Sequence, residues 1–75
     1  MTALADIESA YPDLHCWRSD CGTCMATAVA TRTAHLTEIA RARVADGGGV
    51  TIAAPTPEAL CQAIARFLSY GEVAA

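Results

Sequence analysis

The chain has 75 residues, 53% of them hydrophobic, and a formal net charge of −3. This length predicts one domain over residues 1–75, and so short a chain buries only about 60% of the surface that its unfolded form exposes. All its cations are arginines, and only the stretch from Arg32 to Arg43 is locally basic. Because nucleic-acid binding usually requires a broad basic surface, the composition argues against a nucleic-acid partner.

The N-terminus carries Asp6 and Glu8 where a secretory signal would place cations and then an apolar run. No stretch approaches the roughly 18 consecutive apolar residues that a membrane span requires. We therefore expect a cytoplasmic protein with no membrane contact. In that compartment the four cysteines are expected to be thiols, metal ligands or transient redox groups rather than a disulfide framework.

The first predicted element is a helix over residues 2–10. Leu4, Ile7 and Ala10 recur at helical spacing, and Thr2 is placed to cap the N-terminus. Pro12 ends the helix because a proline disfavours helical conformation in the residue before it.

A β-hairpin is predicted over residues 14–29. Its turn has the sequence Ser19-Asp20-Cys21-Gly22, with Gly22 where a left-handed conformation is required. A three-residue loop then pairs Trp17 with Met25 and Cys16 with Ala26, and also Ser19 with Thr23 and His15 with Thr27.

Strand side chains alternate between the two faces of a sheet, so this register separates two sets of residues. One face carries Leu14, Cys16, Cys24, Ala26 and Ala28, and the other carries His15, Trp17, Met25, Thr27 and Val29. Because both sets are largely apolar, we expect cover on both faces from helices or from a second subunit.

A second helix is predicted over residues 36–45, with Thr37 as its cap and glycines 47–49 ending it. Its apolar stripe is predicted to comprise Leu36, Ile39, Ala40 and Val44. A rival interpretation runs one helix from residue 24 to residue 45, although the threonine and β-branched content of residues 27–33 disfavours it.

The last third of the chain predicts a strand over residues 50–54 and then a helix. Thr56 is a natural N-cap, Pro57 suits the first helical position, and Gly71 is a plausible end. Leu60, Ile64, Phe67 and Leu68 form one apolar face. The predicted fold is α+β in the order α-β-β-α-β-α, with a small antiparallel sheet (the hairpin plus a third strand) packed by helices.

Two short motifs carry a family resemblance: Trp17-Arg18-Ser19-Asp20 followed by Gly22, and Thr56-Pro57-Glu58-Ala59-Leu60. With them, the chain from Tyr11 onward resembles a group of small uncharacterised actinobacterial proteins of the Streptomyces type. The strand–helix tail is also similar, more weakly, to HicB-like antitoxin folds. The resemblance implies a hairpin and a closing strand–helix unit, and it implies no activity.

The sharpest chemical motif is Cys21-Gly22-Thr23-Cys24. As a metal knuckle, Cys21 and Cys24 could supply two thiolates to zinc, with Cys16 and His15 as the leading candidates for the remaining ligands. His35 and Cys61 are further candidates. As a redox motif, the pair would need its first cysteine at the head of a helix, whose dipole lowers a thiol pKa. The third interpretation treats all four cysteines as small buried hydrophobic residues.

No paired carboxylates, phosphate-binding glycine loop or nucleophile elbow occurs in the sequence. Neither His15 nor His35 has a carboxylate or nucleophile at a suggestive spacing. We therefore expect a protein that is not an enzyme and needs no cofactor, with zinc as the open alternative.

The predicted function is that of a small binding or regulatory protein acting through protein–protein contacts, as a homodimer or with another protein partner. If the last helix covers the Cys16 face, Trp17, Met25 and Val29 form the predicted partner-binding patch, since aromatic residues and methionine are enriched at interfaces. The alternatives are a zinc-stabilised module and a C-x-x-C thiol-redox protein.

Overall fold

In a computed structural model that describes residues 3–73, three helices pack against one three-stranded sheet. The elements are α1 (Leu4–Ala10), β1 (Leu14–Arg18), β2 (Cys24–Val29), α2 (Glu38–Gly47), β3 (Gly49–Ala54) and α3 (Pro57–Tyr70). The sheet is antiparallel throughout, in the order β1-β2-β3. The predicted α+β class and the order α-β-β-α-β-α are confirmed.

β1 and β2 form the predicted hairpin in the predicted register, with Trp17 opposite Met25 and Cys16 opposite Ala26. Gly22 closes the loop at φ 83°, in the left-handed region that costs glycine little. Its N–H donates to the Ser19 carbonyl at 2.9 Å. The rival interpretation of one helix over residues 24–45 is wrong, because residues 24–29 are a strand.

α1 begins at Leu4, and its first turn is closed by Asp6, whose carboxylate accepts from the Ala3 N–H at 3.2 Å. The predicted cap, Thr2, lies outside the described residues. At the other end the Tyr11 N–H donates to the Ile7 carbonyl at 2.9 Å.

α2 confirms its predicted cap, since the Thr37 hydroxyl accepts from the Ala40 N–H at 3.2 Å. The helix starts at Glu38, however, and runs to Gly47, two residues past the predicted end, before Gly48 turns left-handed at φ 73°. Ile39 was wrongly placed in the buried stripe: it is 51% exposed, whereas Ala40 and Val44 are fully buried. The stripe is narrow because α2 packs mainly on β3 and α3.

α3 has the predicted N-cap, Thr56, whose hydroxyl accepts from the Ala59 N–H at 3.1 Å. Gly71 ends it at φ 70°, and the Gly71 N–H donates to the Phe67 carbonyl at 2.8 Å. Three fully buried side chains of α3 form the centre of the core: Leu60, Ile64 and Phe67. This helix packs on β3 and β2, while α1 packs on β1.

Candidate functional site

The helices cover one face of the sheet, which we call the inner face. All five hairpin residues predicted to share that face are buried: Leu14, Cys16, Cys24, Ala26 and Ala28. Val50, Ile52 and Ala54 of β3 continue it and are buried too. The last helix therefore covers the Cys16 side of the hairpin, which is the condition under which Trp17, Met25 and Val29 were predicted to bind a partner.

The opposite side of the sheet, which we call the outer face, is open to solvent. It consists of His15, Trp17, Met25, Thr27, Val29, Gly49, Thr51 and Ala53. Val29 is 40% exposed, and Trp17 and Met25 are half-buried. Apart from His15, which is charged only when protonated, these residues carry no ionisable side chain.

Local contacts order this surface. The rings of His15 and Trp17 stack with their centroids 5.6 Å apart and their planes at 21°. The hydroxyls of Thr27 and Thr51 lie 3.5 Å apart across the neighbouring strands. A shallow depression of about 630 Å³ is lined by Asp13, His15, Trp17, Thr27, Val29 and Arg32. The outer face is thus a structured, largely apolar surface with a few polar groups.

His15 has a carboxylate partner that the sequence did not reveal. Glu8 Oε1 lies 3.1 Å from His15 Nδ1 and accepts from the Cys16 backbone N–H at 2.9 Å. The sequence spacing of the two residues does not predict this pair, because it forms only when α1 folds back along β1 after Pro12 and returns residue 8 beside residues 15 and 16. The contact ties α1 to the edge of β1.

The four cysteines are free thiols in three different settings. Cys16 and Cys24 are buried on the inner face, Cys21 is exposed at the hairpin tip, and Cys61 is half-buried on α3. His15 lies on the outer face, so the structure does not bring the four leading zinc candidates together. Over residues 3–73 no group of three or more His, Cys, Asp and Glu side chains is placed to hold a metal ion. Zinc binding stays a prediction.

The C-x-x-C motif sits in a hairpin turn rather than at the start of a helix. The helix-dipole argument for an activated Cys21 thiol therefore does not apply to this fold. Thiol-redox chemistry also stays a prediction.

Cys16 is held in its neutral form. Burial raises the pKa of this thiol from the ordinary 9.0 to about 11, and the charges of Glu8, Cys61 and Cys24 add to the shift. Since the thiolate is the nucleophile and the metal ligand, Cys16 is a poor candidate for either role near neutral pH.

The sequence matches no protein-family model, and no curated protein or solved structure gives a significant match. The resemblance to the actinobacterial group and to HicB-like folds accordingly stays a prediction. Among the described helices, none is long and apolar enough to cross a membrane.

Proposed function

We propose that this is a small non-catalytic protein that acts through protein–protein contacts, and that its outer face is the contact surface. The occupant of that face is the same face of a second copy. One observation carries the proposal: the helices lie on the inner face, so Trp17, Met25 and Val29 remain uncovered.

The charge distribution supports a second copy as the occupant. Each chain carries a formal charge of −3, yet the strand residues of the outer face include no Asp, Glu, Lys or Arg. Two such faces can approach without placing like charges directly opposite each other. Antiparallel sheets pack face to face at about 10 Å, with their strands within about 30° of alignment. The result would be a two-sheet sandwich in which the two outer faces meet at the centre. The helices of each copy would lie on the sides away from the contact.

The size of the outer face sets the expected strength of the contact. Three strands about 4.8 Å apart, one of five residues and two of six, at about 3.4 Å per residue, give a flat footprint of about 280 Å². A standard protein interface buries about 800 Å² of accessible surface on each partner. We therefore expect weak self-association through a single outer face, with a Kd in the micromolar range or above.

The test is sedimentation equilibrium from about 1 µM to about 1 mM, a range that brackets such a Kd. Trp17 is the only tryptophan, so its emission reports on the outer face directly. We expect the average mass to rise with concentration while the emission shifts to the blue. Met25→Glu and Val29→Glu should abolish the blue shift and lower the average mass that the protein reaches at high concentration.

Gln62→Glu adds the same charge on the exposed side of α3 and is the matched control, since it should associate like the wild type. A strict monomer over the whole range would contradict the proposal. So would equal association of Met25→Glu, Val29→Glu and Gln62→Glu.

A further inference from the structure

The two edges of the sheet differ in how their backbone groups are satisfied. On the edge of β1, the Leu14 N–H donates to the Tyr11 carbonyl and the Cys16 N–H donates to Glu8 Oε1, both at 2.9 Å. This edge is therefore occupied by α1 and the segment that follows it. Among residues 3–73, nothing covers the edge of β3 in this way.

The ladder pattern identifies the unpaired groups of β3. The Ser19 N–H donates to the Thr23 carbonyl. Because the backbone groups of successive residues point to alternate sides of a strand, Trp17 and His15, two and four residues before Ser19, also turn their backbone groups toward β2. By the same alternation Ala26 turns its groups toward β3, where it lies opposite Ile52. The N–H and C=O groups of Thr51 and Ala53 consequently point away from the sheet.

Within residues 3–73 these backbone groups have no hydrogen-bond partner, since no hydrogen bond joins the Thr51 or Ala53 backbone to α2 or to a loop. Beside the start of the edge lies an open groove of about 300 Å³, between β3 and Arg43, Asp46, Gly47 and Val73. Natural proteins protect free edges with charged side chains, proline or bulges. β3 reads Gly-Val-Thr-Ile-Ala-Ala and has no charged residue and no proline.

We propose that β3 pairs with β3 of a second copy, antiparallel about a two-fold axis at Ile52. Thr51 of each copy then lies opposite Ala53 of the other, and the two residues exchange both N–H···O bonds. Every cross-strand pair along this edge consists of small, apolar or threonine side chains, so no like charges meet. An isologous contact of this kind closes on itself and does not grow into a fibre.

The edge contact strengthens the outer-face contact of the proposed function. The two-fold axis stands perpendicular to the sheet, so both outer faces remain on the same side. The joined sheets present a flat footprint of about 560 Å², twice that of one chain, which is closer to a standard interface. Two edge-joined pairs packed face to face form a closed tetramer with perpendicular two-fold axes. This tetramer rests on the proposed function, whereas the edge contact stands without it.

The test uses the full chain and variants at Thr51, whose N–H points away from β2. Thr51→Pro removes that donor, and no bond to β2 is lost because the Thr51 N–H points away from β2. Proline is also tolerated on a free edge strand. Thr51→Val also lacks the hydroxyl but keeps the N–H, so it is the matched control for the Thr51 side chain, which lies on the outer face. In sedimentation equilibrium we expect the wild type and Thr51→Val to approach a tetramer, and Thr51→Pro to stop at a dimer.

The outer-face variant Met25→Glu separates the two contacts. We expect it to form an edge-joined dimer that the double variant with Thr51→Pro converts to a monomer. A monomeric Met25→Glu protein at every concentration would overturn the edge contact. Association of Thr51→Pro at wild-type strength would overturn it too, while leaving the outer-face contact intact.

Discussion

Cys16 should react with an alkylating reagent far more slowly than an ordinary thiol. At pH 8 a thiol with a pKa of 9.0 is about 10% thiolate, whereas one with a pKa of about 11 is about 0.1% thiolate. Ionisation alone therefore slows Cys16 about hundredfold. Its position under the helices, at 7% exposure, slows it further because the reagent must reach the sulfur.

The assay is a time course with iodoacetamide at pH 8, followed by mass spectrometry of the peptides. We expect the exposed Cys21 to be alkylated first, and Cys16 and the fully buried Cys24 to follow only on the timescale of unfolding. In denaturing urea all three should react at similar rates, which controls for peptide-specific detection. Alkylation of Cys16 within tenfold of Cys21 in the folded protein would refute the reasoning.

Two further predictions concern stability. Because folded Cys16 keeps its proton above the pH at which the unfolded chain loses it, the free energy of unfolding should fall between pH 9 and about pH 11, by at most about 2–3 kcal/mol. Urea unfolding at pH 8 and 10 measures this, and a Cys16→Ala variant with the same pH dependence as the wild type would contradict it. Thr56→Ala should lower the free energy of unfolding by about 1 kcal/mol, since it removes the acceptor for the Ala59 N–H. Thr56→Ser keeps a hydroxyl acceptor and should unfold with nearly the wild-type free energy. Equal stability of the two variants would count against the cap.

The parts of the fold that follow from local chemistry were predictable from the sequence. The hairpin register depends on one turn, and Gly22 at the left-handed position fixes the loop length. Once the loop is fixed, the pairing of Trp17 with Met25 follows by counting. α3 was equally clear, because its cap, its first-turn proline, its apolar face and its terminal glycine all agree.

The parts that depend on how elements pack were not predictable. Ile39 fits a helical stripe, but α2 packs mainly on one strand and one other helix, so only a narrow set of its side chains is buried and Ile39 stays exposed. The Glu8–His15 contact joins residues seven apart across a turn, and neither their residue types nor their spacing predicts that they meet. Only the direction in which α1 folds back along β1 determines that they meet.

The C-x-x-C motif shows why spacing alone does not define a site. In a helix the first and fourth residues lie about one turn apart on one side, so two thiols converge. In this hairpin the same spacing puts Cys21 in the exposed loop and Cys24 at the start of β2, where strand alternation turns its side chain into the core.

For Cys24 to reach a shared ligand with Cys21, a fully buried side chain would have to leave the inner face and open the end of the hairpin. Burying a side chain of this kind contributes on the order of 1 kcal/mol or more, and the adjoining strand pairs would be lost with it. The outer face requires no such rearrangement, since Trp17, Met25 and Val29 are already uncovered. The same alternation that buries Cys24 thus leaves the outer face accessible without opening the fold, which is why the proposed contact is placed there.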